Sequence, residues 1–362
     1  MRIAIDASNL TGAKTGLDFM TEGIIQGFKA FPEHELIPYT TDKYLDETPE
    51  GMVRITKPRG LFSGLRWYFK ASRDMRGRGV DVFISTWTFT AAALFPRAIQ
   101  IVPDLSPTVL PETVTIKHRI MFTLTLWVAL LRAWKVVAIS QAVADEIKQK
   151  FPWYKKEIGV IPLSVNDWAL SPQTSETERA EIRSKYQLPE KFFLSVSTIQ
   201  PRKNYVNMIK GFGEFAKSHP DFNYVIVGKK GWKYDEVFEA VDSLNLRDKV
   251  RFLNYLPDSE LPALVDASSG FLYASIYEGF GIPPLNAAYR GIPVLVSDIP
   301  VFHEILTSKE AIFVDSQDVQ SIARELDNLP RLKVYFGNNS LIKNFNWRNC
   351  AATLVSLANV VL

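Results

Sequence analysis

The chain has 362 residues, 47% of them hydrophobic and 12% aromatic, enough for two domains of ordinary size with buried cores. A formal net charge of +3, with no zinc-ligand spacing, no glycine-rich RNA-binding motif and no long basic run, argues against a nucleic-acid partner. The single cysteine, Cys350, excludes an intrachain disulfide and suits a reducing compartment.

The opening MRIAIDAS reads as a first strand rather than a signal peptide. The longest apolar run, 120–131, is too short to span a bilayer. Strands are predicted at 3–7, 35–39, 52–56, 81–86, 99–102, 136–140 and 159–163, and helices at 17–30, 65–76, 113–134 and 141–150. Such alternation means a parallel sheet with right-handed crossovers. After the first strand, Ser8 to Gly16 (SNLTGAKTG) is a polar loop opening onto a helix. It lacks the G-x-G-x-x-G fingerprint and an acid spaced for a ribose, which disfavours an NAD enzyme. A flexible surface loop and a backbone that approaches a ligand both fit it.

Residues 59–78 interleave Arg66, Lys70, Arg73, Arg76 and Arg78 with Leu65, Trp67, Tyr68 and Phe69. On a helix this places a basic face beside an aromatic one. The readings are an ordinary surface helix or a face for an anionic membrane or a lipid-linked acceptor. Residues 101–107 (IVPDLSP) leave Asp104 at the C-terminal end of a strand, where ligands bind in open α/β sheets. Asp104 either orients a ligand or caps the loop that follows. Residues 166–190, polar and low in apolar side chains, form the best domain boundary, with a short helix within them.

The alternation then restarts. Strands are predicted at 192–197, 224–227, 250–254, 270–275 and 292–296, with helices at 205–217, 235–244, 258–267, 284–290 and 319–329, short segments at 299–306 and 311–314, and an apolar helix in 345–362. Arg202 and Lys203 follow the first of these strands, placed for a phosphate or forming a solvated basic turn. Residues 227–232 (VGKKGW) put Gly228 and Gly231 after the second strand. Residues 275–298 (SIYEGFGIPPLNAAYRGIPVLVSD) read as loop, helix and strand. Gly279 and Gly281 allow close backbone approach, and Pro283 and Pro284 suit a helix start whose free N–H groups favour an anion. Glu278 stands at the mouth of that anion site. A carboxylate there fits hydrogen bonds to a neutral group such as sugar hydroxyls, the alternative being a tight βα turn with a solvated acid.

Taken together, these stretches resemble the large retaining GT-B glycosyltransferase family 4, the glycosyl transferases group 1, which includes bacterial α-mannosyltransferases and sucrose and glycogen synthases. The resemblance runs over nearly the whole chain, from IAIDAS to Phe345-Asn346-Trp347. It implies an α/β GT-B fold of two Rossmann-like domains whose parallel sheets face across a cleft. Residues 1–170 would bind acceptor, 171–345 the nucleotide sugar, and 346–362 would cross back as a helix to the first domain. Pro201-Arg202-Lys203-Asn204 matches the motif whose cations hold the donor diphosphate, and Glu278 matches the first of two signature glutamates. These three, Arg202, Lys203 and Glu278, carry the catalytic expectation. Donor contacts are carried over to Gly16, Gly228, Lys229, Tyr255, Leu256, Gly279, Phe280, Gly281, Ile282 and Asn286, and a sugar or acceptor contact to Asp104.

Two positions depart from the pattern. Pro103 stands where the family turn commonly has His, and Asn286 where the second Glu belongs. Asn keeps one acceptor oxygen and loses the charge, so ribose binding would be weakened and Asn286→Glu would tighten it. The chain contains no Asp-x-Asp pair, in keeping with a family that needs neither metal nor cofactor. The expected function is retaining transfer of a sugar, mannose favoured, from a GDP- or UDP-sugar to a glycan or lipid-linked glycan in polysaccharide or O-antigen assembly. The expected place is the cytoplasm, with peripheral attachment at the inner face of the membrane left open. A catalytically weakened homologue that binds sugar nucleotides, and a different GT-B chemistry such as epimerisation, are the other readings.

Overall fold

The structure, a computed structural model, describes residues 1–10, 16–41, 51–58, 63–86, 94–337 and 339–359. Residues 11–15 of the first glycine loop, 59–62 of the basic-aromatic stretch and 360–362 of the last predicted helix lie outside the described residues. The chain divides into two units, Met1–Ser164 with Asn344–Leu362, and Val165–Lys343.

The first unit runs β1 (Arg2–Asp6), α1 (Gly16–Phe28), β2 (Glu35–Thr40), β3 (Val53–Arg54), α2 (Ser63–Gly77), β4 (Val82–Ser85), β5 (Ala98–Val102), α3 (Ser106–Val109), α4 (Ile116–Arg132), β6 (Lys135–Ala138), α5 (Gln141–Lys150) and β7 (Ile158–Val160). Its strands pair in parallel in the order β3-β2-β1-β4-β5-β6-β7. A parallel sheet is covered on both faces, which is why β1, β4 and β5 are apolar runs rather than alternating ones. Gln100 interrupts β5 and is fully buried; its amide donates to the carbonyls of Ser85 and Ile101.

Two helices depart from the sequence reading. The expected helix 113–134 begins at Ile116, because Thr115 caps it by accepting the His118 N–H, after a separate 3₁₀ turn at Pro111–Thr113. In α2 the aromatic residues do not form one exposed face. Trp67 and Tyr68 are core residues, with the indole donating to the Ile55 carbonyl and the Tyr68 hydroxyl to the buried Asp6 carboxylate. The helical period sends these two inward and leaves Leu65 and Phe69 outside, so the idea of an aromatic stripe over a membrane does not hold for α2.

The second unit runs α6 (Glu176–Lys185), β8 (Lys191–Val196), α7 (Tyr205–Ala216), β9 (Phe222–Val227), α8 (Asp235–Ser243), β10 (Val250–Leu253), α9 (Leu261–Asp266), β11 (Gly270–Tyr273), α10 (Ile282–Tyr289), β12 (Val294–Ser297), α11 (Pro300–Ile305), β13 (Ala311–Val314) and α12 (Val319–Asn328). The sheet order is β10-β9-β8-β11-β12-β13, all parallel. The predicted helix 258–267 is shorter than expected, confined to α9. The Ser/Thr/Glu cluster in the boundary segment is a capping box: Ser175 accepts from the Glu178 N–H while Glu178 accepts from the Ser175 N–H. The same segment is fastened to the unit by Arg290, whose guanidinium grips Asp266 at 2.6 Å through two nitrogens and donates to the carbonyls of Trp168, Ala169, Ser171 and Pro172.

The chain returns to the first unit through α13 (Asn339–Asn344) and α14 (Trp347–Asn359). Helix α14 lies against α1. Gly23 and Gly27, one turn apart on α1, make the close approach possible. A Cβ at Gly23 would stand 2.1 Å from the Trp347 ring, and one at Gly27 2.1 Å from the Trp347 carbonyl oxygen. Trp347, Cys350, Leu354 and Ala358 are buried along that seam.

Candidate active site

The order of the second sheet reverses between β8 and β11, which are hydrogen-bonded neighbours with Phe193 opposite Gly270. Loops leaving the C-terminal ends of two such strands diverge to opposite faces of the sheet and leave a crevice between them. One of those loops carries Arg202 and Lys203, and the other carries Glu278. The topology therefore joins residues 75 and 76 positions apart in the chain.

The β8 loop is shaped by local chemistry. Pro201–Lys203 form one 3₁₀ turn, and Asn204 closes it in the left-handed region (φ 58°, ψ 32°). An asparagine tolerates that conformation and bonds locally. Here the Asn204 side-chain amide donates to the Ala274 carbonyl at 2.9 Å and the Ser316 carbonyl at 2.7 Å, tying the turn to the ends of β11 and β13. The Arg202 carbonyl accepts from the Ile276 N–H at 2.9 Å. The two cations thus leave a fixed backbone.

Glu278 is buried, and both of its oxygens take cations. Lys203 Nζ donates to Oε1 at 2.6 Å, and Arg202 Nη1 donates to Oε2 at 2.9 Å and to the Tyr277 carbonyl at 3.1 Å. Lys203 also donates to the Tyr273 hydroxyl at 2.6 Å. Burial pushes the Glu278 carboxyl upward, but Arg202 and then Lys203 pull it back below its ordinary value, so it is ionised at neutral pH. Burial and the Glu278 charge together hold the Tyr273 phenol well above its usual range, so it stays protonated. Two cations and one carboxylate sum to +1 (2 − 1).

Beside this cluster the chain turns into α10. Gly281 is the residue before the helix, with φ 110°, and a Cβ there would stand 2.6 Å from the Phe302 ring; only glycine fits. Ile282, Pro283 and Pro284 begin the helix two residues earlier than the predicted start at 284. Prolines cost the first turn nothing, because its N–H groups have no partner inside the helix. Phe280 is buried, anchoring the loop.

The other expected donor residues fall near the neighbouring strand ends of the same unit. Gly228 follows β9 and packs so tightly that a Cβ would meet the Ser197 carbonyl oxygen at 1.9 Å. The Lys229 ammonium sits 4.8 Å over the half-exposed Tyr255 ring, and Leu256 beside it is buried. Asn286 is buried in α10, with Oδ1 accepting the Asn166 N–H at 2.9 Å. Gly16 and Asp104 belong to the first unit. Gly16 is the exposed first residue of α1 with open space around its Cα. Asp104 accepts from the Ser106 N–H and hydroxyl through one oxygen, which starts α3. Sequence reasoning did not single out Tyr273 or the structural part of Asn204. The tyrosine ends a strand and gave no local signal; the asparagine was visible in the Pro-Arg-Lys-Asn run.

Comparison with known proteins adds the following. Residues 178–339 match the family described as glycosyl transferases group 1. The chain is 32% identical to the O-antigen chain mannosyltransferase RfbU of Salmonella typhimurium over 293 residues, covering 80% of this chain and 77% of that protein. It is 28% identical to the serotype-specific mannosyltransferase WbdA of Escherichia coli over 61% of this chain, but spans only 28% of that protein's length. Among solved structures, sucrose-phosphate synthase from Thermosynechococcus elongatus superposes with a TM-score of 0.78 over 98% of both chains at 17% identity, a likeness of fold. Two parallel-sheet α/β units in the GT-B arrangement of elements, the match of residues 178–339 to the family, and kinship with RfbU over four-fifths of the sequence agree: the chain belongs to the group 1 glycosyl transferases.

Proposed function

We propose that the chain is a retaining, metal-independent glycosyltransferase that moves mannose from a nucleotide sugar, GDP-mannose favoured, to a growing glycan in polysaccharide or O-antigen assembly. The observation that carries this reading is the Arg202–Glu278–Lys203 cluster, a fixed pair of cations with net charge +1 beside the start of α10. The sugar is inferred from relatives named as mannosyltransferases.

In such a reaction the bond between the anomeric carbon and the diphosphate oxygen breaks, and negative charge grows on the departing phosphate. Arg202, Lys203 and the Ile282 N–H, the one the first turn of α10 has to offer because Pro283 and Pro284 carry none and Leu285 gives its own to Gly281, would meet that charge, which lowers the barrier more than it stabilises bound donor. The acceptor oxygen bonds to the same face of the carbon, and its proton passes to the leaving phosphate. Glu278 holds both cations in register and, with lone pairs to spare, accepts from a sugar hydroxyl. Lys229, Tyr255 and Leu256 would meet the base and ribose, and Asn286 the ribose hydroxyls through a neutral amide. Gly228, Gly279, Phe280, Gly281 and Ile282 would form the floor under the diphosphate. Gly16 and Asp104 would serve from the first unit, the acceptor-binding one, and the protein would work at the cytoplasmic face of a membrane.

Thermal stability measured against nucleoside diphosphates and their sugars tests this. A ligand at a hundred times its dissociation constant adds about 2.7 kcal/mol, a shift of several degrees. Stabilisation by GDP alone, followed by turnover of GDP-mannose, is the expected result. Stabilisation by UDP alone would move the donor assignment. Silence with every nucleotide would sink the transfer reading and mark Pro103 and Asn286 as signs of a disabled donor site, whereas stabilisation without turnover would favour the weakened homologue.

A further inference from the structure

Helix α4 carries an apolar face that its own unit leaves uncovered. Leu126, Ala129 and Leu130 pack into the core on one side. On the other, Ile116, Ile120, Leu124, Trp127 and Leu131 recur at the three- and four-residue spacing of a buried helical stripe, yet they stand in solvent. Met121 and Val128 widen the stripe, and all seven side chains are between 37% and 77% exposed. At about 100° per residue they cover an arc of about 140°. Trp153, in the turn after α5, extends the patch; its ring lies 5.1 Å from that of Trp127. Seven exposed apolar side chains on one face of a folded domain's helix mark an interaction site.

The charges around it select the partner. Helix α4 contains Lys117, Arg119 and Arg132, all exposed, and no acid. Lys155 and Lys156 follow Trp153, both exposed, with Glu157 next to them. A second copy of the chain would fit this poorly. A two-fold axis brings the patch against itself, and in an antiparallel pair Lys117 and Arg119 of one copy would face Arg132 of the other. An anionic lipid surface supplies both the apolar phase and the opposite charge. Tryptophans at the edge of an apolar face rest at headgroup depth. No helix among the described residues is long and apolar enough to cross a membrane, so α4 would lie in the interface with its stripe inward. We infer that α4, with Trp153, docks the first unit on an anionic bilayer. This inference does not depend on the donor reading above, because it uses neither Arg202, Lys203 nor Glu278.

Flotation of the intact protein with vesicles tests it. The protein should bind vesicles of phosphatidylcholine mixed with phosphatidylglycerol, bind phosphatidylcholine alone far less, and come off as salt is raised. The combined variant Leu124→Gln, Trp127→Gln and Leu131→Gln should lower partitioning by about tenfold or more, as should Lys117→Glu with Arg119→Glu and Arg132→Glu. All these side chains are exposed, so unchanged melting temperatures will show that the variants are folded. Arg66→Glu with Lys70→Glu and Arg73→Glu on α2 should leave partitioning unchanged. The inference is overturned by a wild-type protein that ignores anionic vesicles, by binding that survives both α4 variants, or by loss of binding in the α2 variant alone. A wild-type dimer that becomes a monomer in the Gln variant would also overturn it, since the patch would then be a self-interface.

Discussion

Arg290 and Asp266 are 0% and 1% exposed, and their charges cancel. Arg202, Lys203 and Glu278, in the same unit, are 18%, 8% and 7% exposed and sum to +1. Both are buried ion clusters with bonds near 2.6 Å, and both join parts of the chain that are distant in sequence. The first is closed: the donors Arg290 does not give to Asp266 go to four backbone carbonyls of the boundary segment, and it fastens that segment. The second brings two cations onto one carboxylate next to a helix start. Burial therefore does not separate a structural ion pair from a site. Two cations on one carboxylate at the reversal point of a sheet single out the second cluster as the candidate site.

Removing one partner from each cluster should break the comparison in opposite ways. Arg290→Met should cost most, about 3–5 kcal/mol of unfolding free energy, because it strands a buried carboxylate and releases the carbonyls of residues 168–172. Denaturant unfolding would measure it, and nucleoside diphosphate affinity measured below the transition should hold within about twofold. A loss under about 1 kcal/mol would show that Arg290 is not the fastening described.

Arg202→Gln should do the reverse. Loss of one charge-assisted bond to phosphate, about 1.5–3 kcal/mol, should weaken nucleoside diphosphate binding by about ten- to a hundredfold. Unfolding free energy should fall by clearly less than for Arg290→Met, since Lys203 still neutralises Glu278 and Arg202 is the more exposed of the two cations. Calorimetric titration decides this, and unaltered affinity would remove Arg202 from the donor site.

The smallest effect is in pH. The Glu278 carboxyl is held below its unfolded value of 4.5, because Arg202 and Lys203 outweigh the upward push of burial. A depressed carboxylate contributes stability that is fully present above its unfolded value and is lost as pH falls through its folded one. The stability difference between wild type and Glu278→Gln should be flat from neutral pH to about 5 and shrink below 4.5. A difference that instead grows with acid would mean that the carboxylate is not paired as described.

The fold was largely legible because parallel strands covered on both faces are short apolar runs, and these stood out from Ile3 to Val296. What periodicity missed was decided by single side chains, such as Thr115 setting the start of α4 and Ser175 with Glu178 starting α6. The basic-aromatic stretch misled for a related reason. Composition does not say which side of a helix a tryptophan takes, and Trp67 went inward while Trp127 stayed out. At the site, Arg202, Lys203 and Glu278 were each visible as residue types in loops after strands. Their meeting was not, because it depends on β8 and β11 being neighbours, a fact of topology. The resemblance that assigned Asn286 to a ribose could not foresee its bond to the Asn166 N–H.

The seam between α1 and α14 has a consequence for the order of events during synthesis. Domains generally form as the ribosome releases them, first domain first. Here Gly23 and Gly27 wait for Trp347, so the unit begun at Met1 cannot close until more than three hundred further residues have emerged. Val165–Lys343 is contiguous and has no such wait. The second unit can be finished while the first still shows an open helix groove, and a stalled or clipped chain ending before Asn344 would expose that groove to chaperones and proteases.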